Sequence, residues 1–197
     1  MRKLLLLAPI VFLAACVDTT GLTSTIHTDV HPSTSQNALV TVTEYADLEC
    51  PACRSAHGTL VQPLIAKYGT KIAYDFRHFP LTSIHRYAME SAEAAECAAD
   101  QGKFWDFADH IYENQGDLTS DALREWAVEL KLDEELFGRC LDSHIKRKAI
   151  QASYDEGRAK GVQGTPTFFV NGQQINATIQ DLSAAIDAAL NQAAVIR

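Results

Sequence analysis

The chain has 197 residues, 47% of them hydrophobic and 21% charged, with a net charge of −8. That length suits one domain, or one domain carrying an insertion, and the composition is that of a globular protein. The acidic balance leaves no basic stripe to neutralise phosphates, which argues against nucleic acid as a partner.

Arg2 and Lys3, followed by the apolar run Leu4 to Phe12, form a leader too short to be a permanent membrane span. Leu13-Ala14-Ala15-Cys16 then puts a cysteine at the cut, as in a bacterial lipobox; the plain alternative is a secretory leader with an incidental cysteine. Residues 1–15 are expected to be removed and Cys16 to carry lipid. The mature protein would then lie on the periplasmic side of the cell envelope, anchored to a membrane, where disulfides persist. Residues 16–37 read as a flexible tether. Nine of the nineteen residues from Asp18 to Gln36 are Ser or Thr, and no apolar period runs through them. His27 and His31 are expected to be solvated there.

Leu39 to Ala46 alternates as a strand, with Val40, Val42, Glu44 and Ala46 on one face. A carboxylate on an apolar face has a raised pKa. Glu44, six residues before Cys50, is therefore a candidate proton acceptor for Cys53; a strand-end glutamate reaching water is the plain alternative.

Cys50-Pro51-Ala52-Cys53 follows, at the start of a helix that runs to Tyr68 and is bent at Pro63. A helix N-terminus offers free N–H groups and the positive end of the dipole, so a thiolate at Cys50 is stabilised below the free value of about 8.5. Such a pair closes and reopens a disulfide. A CxxC is also half of a zinc site, but that needs a second ligand pair. Cys97 and Cys140 stand alone, and the seven histidines are scattered. Neither a metal nor a cofactor is expected. His57, one turn past Cys53, could face solvent or the site, and solvent is the expectation.

Lys71 to Phe79 reads as a second strand. From Ser83 to Lys160 the pattern is helical, with helices near 84–100, 103–114, 120–130, 133–142 and 144–160. Thr119, Ser120 and Asp133 are N-cap candidates. Cys97 and Cys140 fall on different helices of this block. In an oxidising compartment they suggest a structural disulfide, two buried free thiols being the alternative. Thr165 to Val170 is a strand, Asn171-Gly172 a hairpin turn, and Gln173 to Asn176 the return. A helix begins at Ile179. The order β-α-β, helical block, β-β-α is an α/β plan: a thioredoxin-like fold with an inserted helical domain. Residues 38–82 and 161–197 would form the thioredoxin-like part, and 83–160 the insertion.

Several stretches together resemble one family. They are Val42 to Cys53; Arg77-His78-Phe79-Pro80-Leu81; Ala94-Ala95-Glu96-Cys97-Ala98 with Gln101-Gly102-Lys103-Phe104-Trp105; and Gly161 to Gly172. The chain resembles the DsbA-like thiol:disulfide oxidoreductases, in a subgroup that is often lipid-anchored. The resemblance implies that Cys50 is the exposed attacking thiol, Cys53 the resolving one and Glu44 the buried acid. It puts Pro166 at the cis-proline beside the disulfide, with Thr165 offering backbone groups to an extended substrate. It implies exchange of the Cys50–Cys53 disulfide with unpaired cysteines of exported proteins, as an oxidase re-oxidised by a DsbB-like, quinone-linked membrane enzyme. A reductase or isomerase of the envelope is the runner-up in the same chemistry. A lipoprotein binding module with a structural CxxC is the rival from another class. Asp47 and Glu49 beside Cys50 oppose an anion, and Pro-Ala stands where the best-known member has Pro-His. Both features predict a weaker oxidant than that member.

Overall fold

The computed structural model describes residues 17–27 and 29–195. The leader and Cys16 lie outside the described residues. Five strands form one sheet in the order β1-β3-β2-β4-β5. These are β1 (Asp29–Val30), β2 (Val40–Ala46), β3 (Ile72–His78), β4 (Thr167–Val170) and β5 (Gln173–Ile175). β2 and β3 run parallel, pairing Val42 with Tyr74 and Glu44 with Phe76. β4 runs antiparallel to β2, with Phe168 opposite Glu44, and β5 returns antiparallel to β4. The hairpin turn has Asn171 at φ 47° and Gly172 at φ 82°. Both central residues need the left-handed region, which is why Asn-Gly stands there.

Between β2 and β3 the chain is helical from Pro51 to Tyr68. It comprises α1 (Pro51–Ala56), a π turn (His57–Val61) and α2 (Gln62–Tyr68). The expected bend at Pro63 takes the form of that wider turn, in which the Gln62 N–H reaches back to the His57 carbonyl. Proline has no N–H to donate, so the ladder must be re-made around it. The helical block is α3 (Ala88–Ala99), α4 (Phe104–Glu113), α5 (Ser120–Glu129), α6 (Glu134–Ser143) and α7 (Arg147–Ala159). Thr119 caps α5 by accepting from the Ala122 N–H, and Asp133 caps α6 by accepting from the Leu136 N–H. Ser120, the third candidate, is instead the first residue of α5. α8 (Ile179–Val195) closes the fold.

The alternation of β2 separates two cores. Val40 and Val42 pack with Leu64, Tyr74, Phe168 and Leu182 beneath α2 and α8. Tyr45, on the opposite face, packs with Phe79, Val162 and Phe169. A third cluster fills the helical block and continues through Phe76 and Leu48 to Cys50 and Cys53. The CxxC therefore sits where the sheet end meets the inserted helices. Cys97 on α3 and Cys140 on α6 are bonded, with S–S 2.02 Å.

The segment before β2 departs from the tether expected of its composition. β1 adds antiparallel to the edge of β3. The His31 and Ser35 N–H groups donate to the Tyr74 and Ile72 carbonyls, each at 2.9 Å. Arg139 donates to the Asp18 and Thr20 carbonyls at 3.3 and 3.0 Å. Lys146 donates to the Thr25 carbonyl at 2.8 Å, and the His27 N–H to Glu96 at 3.0 Å. His27 also pairs with Asp100 at 2.7 Å, and His31 lies edge-on to Trp105 at 4.7 Å. Low hydrophobicity excludes a core of the segment's own. It does not exclude docking by backbone hydrogen bonds onto a surface already folded.

Candidate active site

Cys50 is the N-cap of α1, in extended backbone at φ −73° and ψ 121°, with Pro51 in the first turn. The Cys50 N–H donates to the Asp47 carbonyl at 3.0 Å. Its thiol donates to the Thr165 carbonyl at 3.7 Å. The Thr165–Pro166 peptide bond is cis. β2 thus delivers the motif, and the turn before β4 lies against it. Both cysteines are free thiols. Cys50 is 6% exposed and Cys53 0%. The open exposure expected of Cys50 is not met; the sulfur is tucked against the Thr165 turn.

The two sulfurs are driven apart in acidity. A hydrogen bond from Cys53 does most to bring Cys50 down to about 5, against the opposing effect of burial. The Thr165 side chain and the backbone N–H groups of Cys53 and Ala52 add to it. The Thr165 hydroxyl is buried with no other partner among the described residues, so it is available to donate to the thiolate. Burial pushes Cys53 far up, and its hydrogen bond to Cys50 and the charge of Glu44 push the same way. The proton therefore stays on Cys53 and leaves Cys50, as an attacking and a resolving thiol require.

Glu44 is 2% exposed on β2. Its Oε2 accepts from the Tyr74 hydroxyl at 2.5 Å, and its Oε1 has no partner among the described residues. Burial raises its pKa to about 7; the Tyr74 hydrogen bond and the charge of His57 pull back. A carboxyl that titrates near neutrality beside a buried thiol can exchange a proton with it.

Asp47 and Glu49 are both held in place by hydrogen bonds. Asp47 Oδ1 accepts from the Glu49 N–H at 2.9 Å, and Oδ2 from the Leu81 N–H at 2.9 Å and from His85 Nδ1 at 2.7 Å. Glu49 accepts from the Tyr87 N–H at 2.5 Å. Both carboxylates are spent in stitching the 81–87 loop to the turn before α1. The Gln115 side chain donates to the Leu48 and Cys50 carbonyls at 2.7 and 3.1 Å.

His57 does not face solvent. It is 9% exposed, pairs with Asp109 at 2.8 Å and stacks on Tyr112 at 5.0 Å, bridging the motif helix to α4. Sequence reasoning missed His57, His85 and Gln115 as neighbours of the site. Of these, only His57 had a signal, its place one turn beyond Cys53.

A family model described as thioredoxin matches residues 29–188. A stretch of 165 residues, 83% of this chain, is 41% identical to part of "Na(+)/H(+) antiporter NhaA 3" of Salinispora tropica. Another, 140 residues and 71% of the chain, is 36% identical to part of "Na(+)/H(+) antiporter NhaA" of Herminiimonas arsenicoxydans. The chain spans only 25% and 22% of the length of these two relatives. Among solved structures, BdbD from Bacillus subtilis matches at TM-score 0.72 and 23% identity, over 80% of this chain and 90% of that one. A thioredoxin-like oxidoreductase from Silicibacter pomeroyi matches at 0.68 and 27%, over 77% and 87%. Wolbachia pipientis alpha-DsbA1 matches at 0.67 and 23%, over 81% and 89%. The chain belongs to the thioredoxin family and has the fold of its DsbA-like members, helical insertion included.

Proposed function

We propose that this chain is a thiol–disulfide oxidoreductase working as an oxidase of exported proteins. The observation that carries the reading is the split between the sulfurs of one CxxC: Cys50 brought down to about 5 at a helix N-terminus, Cys53 fully buried and pushed up. A stabilised thiolate at the outer cysteine favours the reduced form, and so makes the disulfide an oxidant.

In the oxidised protein, a substrate thiolate attacks Cys50 Sγ. A bond forms between the substrate sulfur and Cys50, the Cys50–Cys53 bond breaks, and Cys53 takes the electron pair. Glu44 holds the proton that Cys53 then receives. A second substrate thiolate attacks the first substrate sulfur and expels Cys50 as a thiolate. The substrate leaves with a disulfide and the protein keeps two electrons. The Thr165–Pro166 turn holds the incoming chain in extended form. A quinone-linked membrane oxidase of DsbB-like chemistry takes the electrons and restores the disulfide. The leader and Cys16 support an envelope location with a lipid anchor; among the described residues no helix is long and apolar enough to cross a membrane. Cys97–Cys140 serves as a structural disulfide.

Replacing Cys50 with Ser abolishes exchange. Replacing Cys53 with Ala leaves Cys50 able to form mixed disulfides that cannot be resolved internally, so partners accumulate as high-mass bands on non-reducing gels. If no such bands form, the scheme fails. Equilibration with glutathione decides the direction. A potential well above the thioredoxin value of about −270 mV fits an oxidase, and one near it a reductase.

A further inference from the structure

The turn before α1 is knotted to the 81–87 loop through one buried side chain. Asp47 takes the Leu81 N–H and His85 Nδ1 on a single carboxylate oxygen, at 2.9 and 2.7 Å. Through its backbone carbonyl it also takes the Cys50 N–H at 3.0 Å. The Tyr87 N–H donates to Glu49 on the far side of the same loop. His85 is thus held at the N-terminus of α1 by the residue that also holds Cys50. Its side chain is mostly buried, at 16% exposed, so its ring has little freedom to swing away.

We propose that His85, oriented by Asp47, is a positive neighbour of the Cys50 thiolate and adjusts the oxidising power of the couple. It acts through space from a different element, and so supplies the charge that Pro51-Ala52 does not. The proposal deepens the functional reading above and rests on Cys50 being the attacking thiol. His85 is a positioning residue and takes no part in bond making.

The electrostatics agree with the geometry. The charged groups facing His85 are Asp47, Glu49 and Cys50 itself. Burial lowers its pKa, but the hydrogen bond and charge of Asp47, with the charges of Cys50 and Glu49, raise it above the ordinary histidine value. An interaction that favours the imidazolium when Cys50 is a thiolate favours the thiolate equally when His85 is protonated. A single charge a few side-chain lengths away in a partly solvated site is worth well under one pKa unit. Once Cys50 closes the disulfide there is no thiolate to support. His85 therefore acts only on the reduced form, which is how it reaches the potential.

The test compares His85→Gln, which keeps a donor for Asp47 without the charge, with His85→Lys, which keeps the charge. Cys50 is titrated by its ultraviolet thiolate absorbance, and the potential is read against glutathione buffers. In His85→Gln, Cys50 should titrate about half a unit higher, and the equilibrium should move about threefold toward the oxidised protein, or about 14 mV. His85→Lys should return most of the shift. Unchanged titration in His85→Gln, or equal shifts in both variants, would overturn the proposal by reducing His85 to a staple for the loop. If a variant does not fold, the unmutated protein still decides. By NMR, the His85 ring should titrate higher in the reduced than in the oxidised protein, and equal values sink the idea. Failure of the functional reading looks different: unmutated protein that does not exchange disulfides at all.

Discussion

Glu44 holds its proton to unusually high pH because its carboxyl group is buried, and the hydrogen bond from the Tyr74 hydroxyl only partly offsets that burial. Its pKa near 7 lies above the ordinary 4.5. The folded protein therefore binds this proton more tightly than the unfolded chain does. Linkage then makes folding progressively less favourable as pH rises from about 4.5 through about 7, after which the loss levels off. A shift of that size corresponds to about 3 kcal/mol. Glu44→Gln has nothing to titrate, so between pH 5 and pH 8 it should gain about 3 kcal/mol on the reduced parent protein. Urea unfolding of both reduced proteins at the two pH values measures this, and the Cys50 contribution cancels. Parallel pH dependences would show that Glu44 is not held neutral. The same substitution should slow resolution of mixed disulfides by Cys53, for want of a proton acceptor.

At the level of elements, the site is made by a strand, two turns and a helix start that meet at one end of the sheet. α7 matters here although it carries no site residue. It crosses the face of the sheet occupied by Tyr45, and Gly157 lets it lie close. A Cβ at that position would meet Phe79 Cδ2 at 2.8 Å and Tyr45 Cδ1 at 2.9 Å. Neither ring has room to retreat, since Tyr45 and Phe79 are buried and stack edge-on to each other. Gly157→Ala should therefore destabilise the fold by about 1–3 kcal/mol, despite alanine's better helix propensity. Thermal unfolding reads this directly. A variant more stable than the parent would mean that α7 is free to shift.

For the whole molecule, two long-range devices tie the helical block together and to the sheet. One is the Cys97–Cys140 bond, which closes a sequence separation of 43 between α3 and α6. In the chain-entropy view such a loop is worth about 4 kcal/mol. The paired change Cys97→Ser with Cys140→Ser should cost that order of stability in urea unfolding while leaving Cys50 reactive. An undiminished midpoint would reassign the pair. The other device is the N-terminal strap. Lys146 is fully buried and survives by donating to Asp100 at 2.6 Å and to the Thr25 carbonyl of the strap. A buried ammonium needs such partners, so the strap and the block depend on each other.

The strand and helix periods, the turn chemistry of Asn171-Gly172 and the caps at Thr119 and Asp133 are local, and they were legible in the residues. So were the two thiols and the apolar-face position of Glu44, because alternation in a strand assigns a face whatever the strand packs against. Apart from the Cys97–Cys140 pair, what could not be read was set by contacts distant in the chain. The segment before β2 has a disordered composition, yet its described residues dock because an edge strand and the buried Lys146 offer hydrogen bonds that only the folded surface presents. Asp47 reads only as a charge beside Cys50, and its hydrogen-bond partners Leu81 and His85 lie 34 and 38 residues away. His57 reads as exposed until α4 brings Asp109 and Tyr112 to it. Local pattern determined the elements and the placing of the two cysteines at a helix start. Tertiary structure alone decided the charge environment of Cys50, because electrostatic and hydrogen-bond partners are chosen by distance in space and not by distance along the chain.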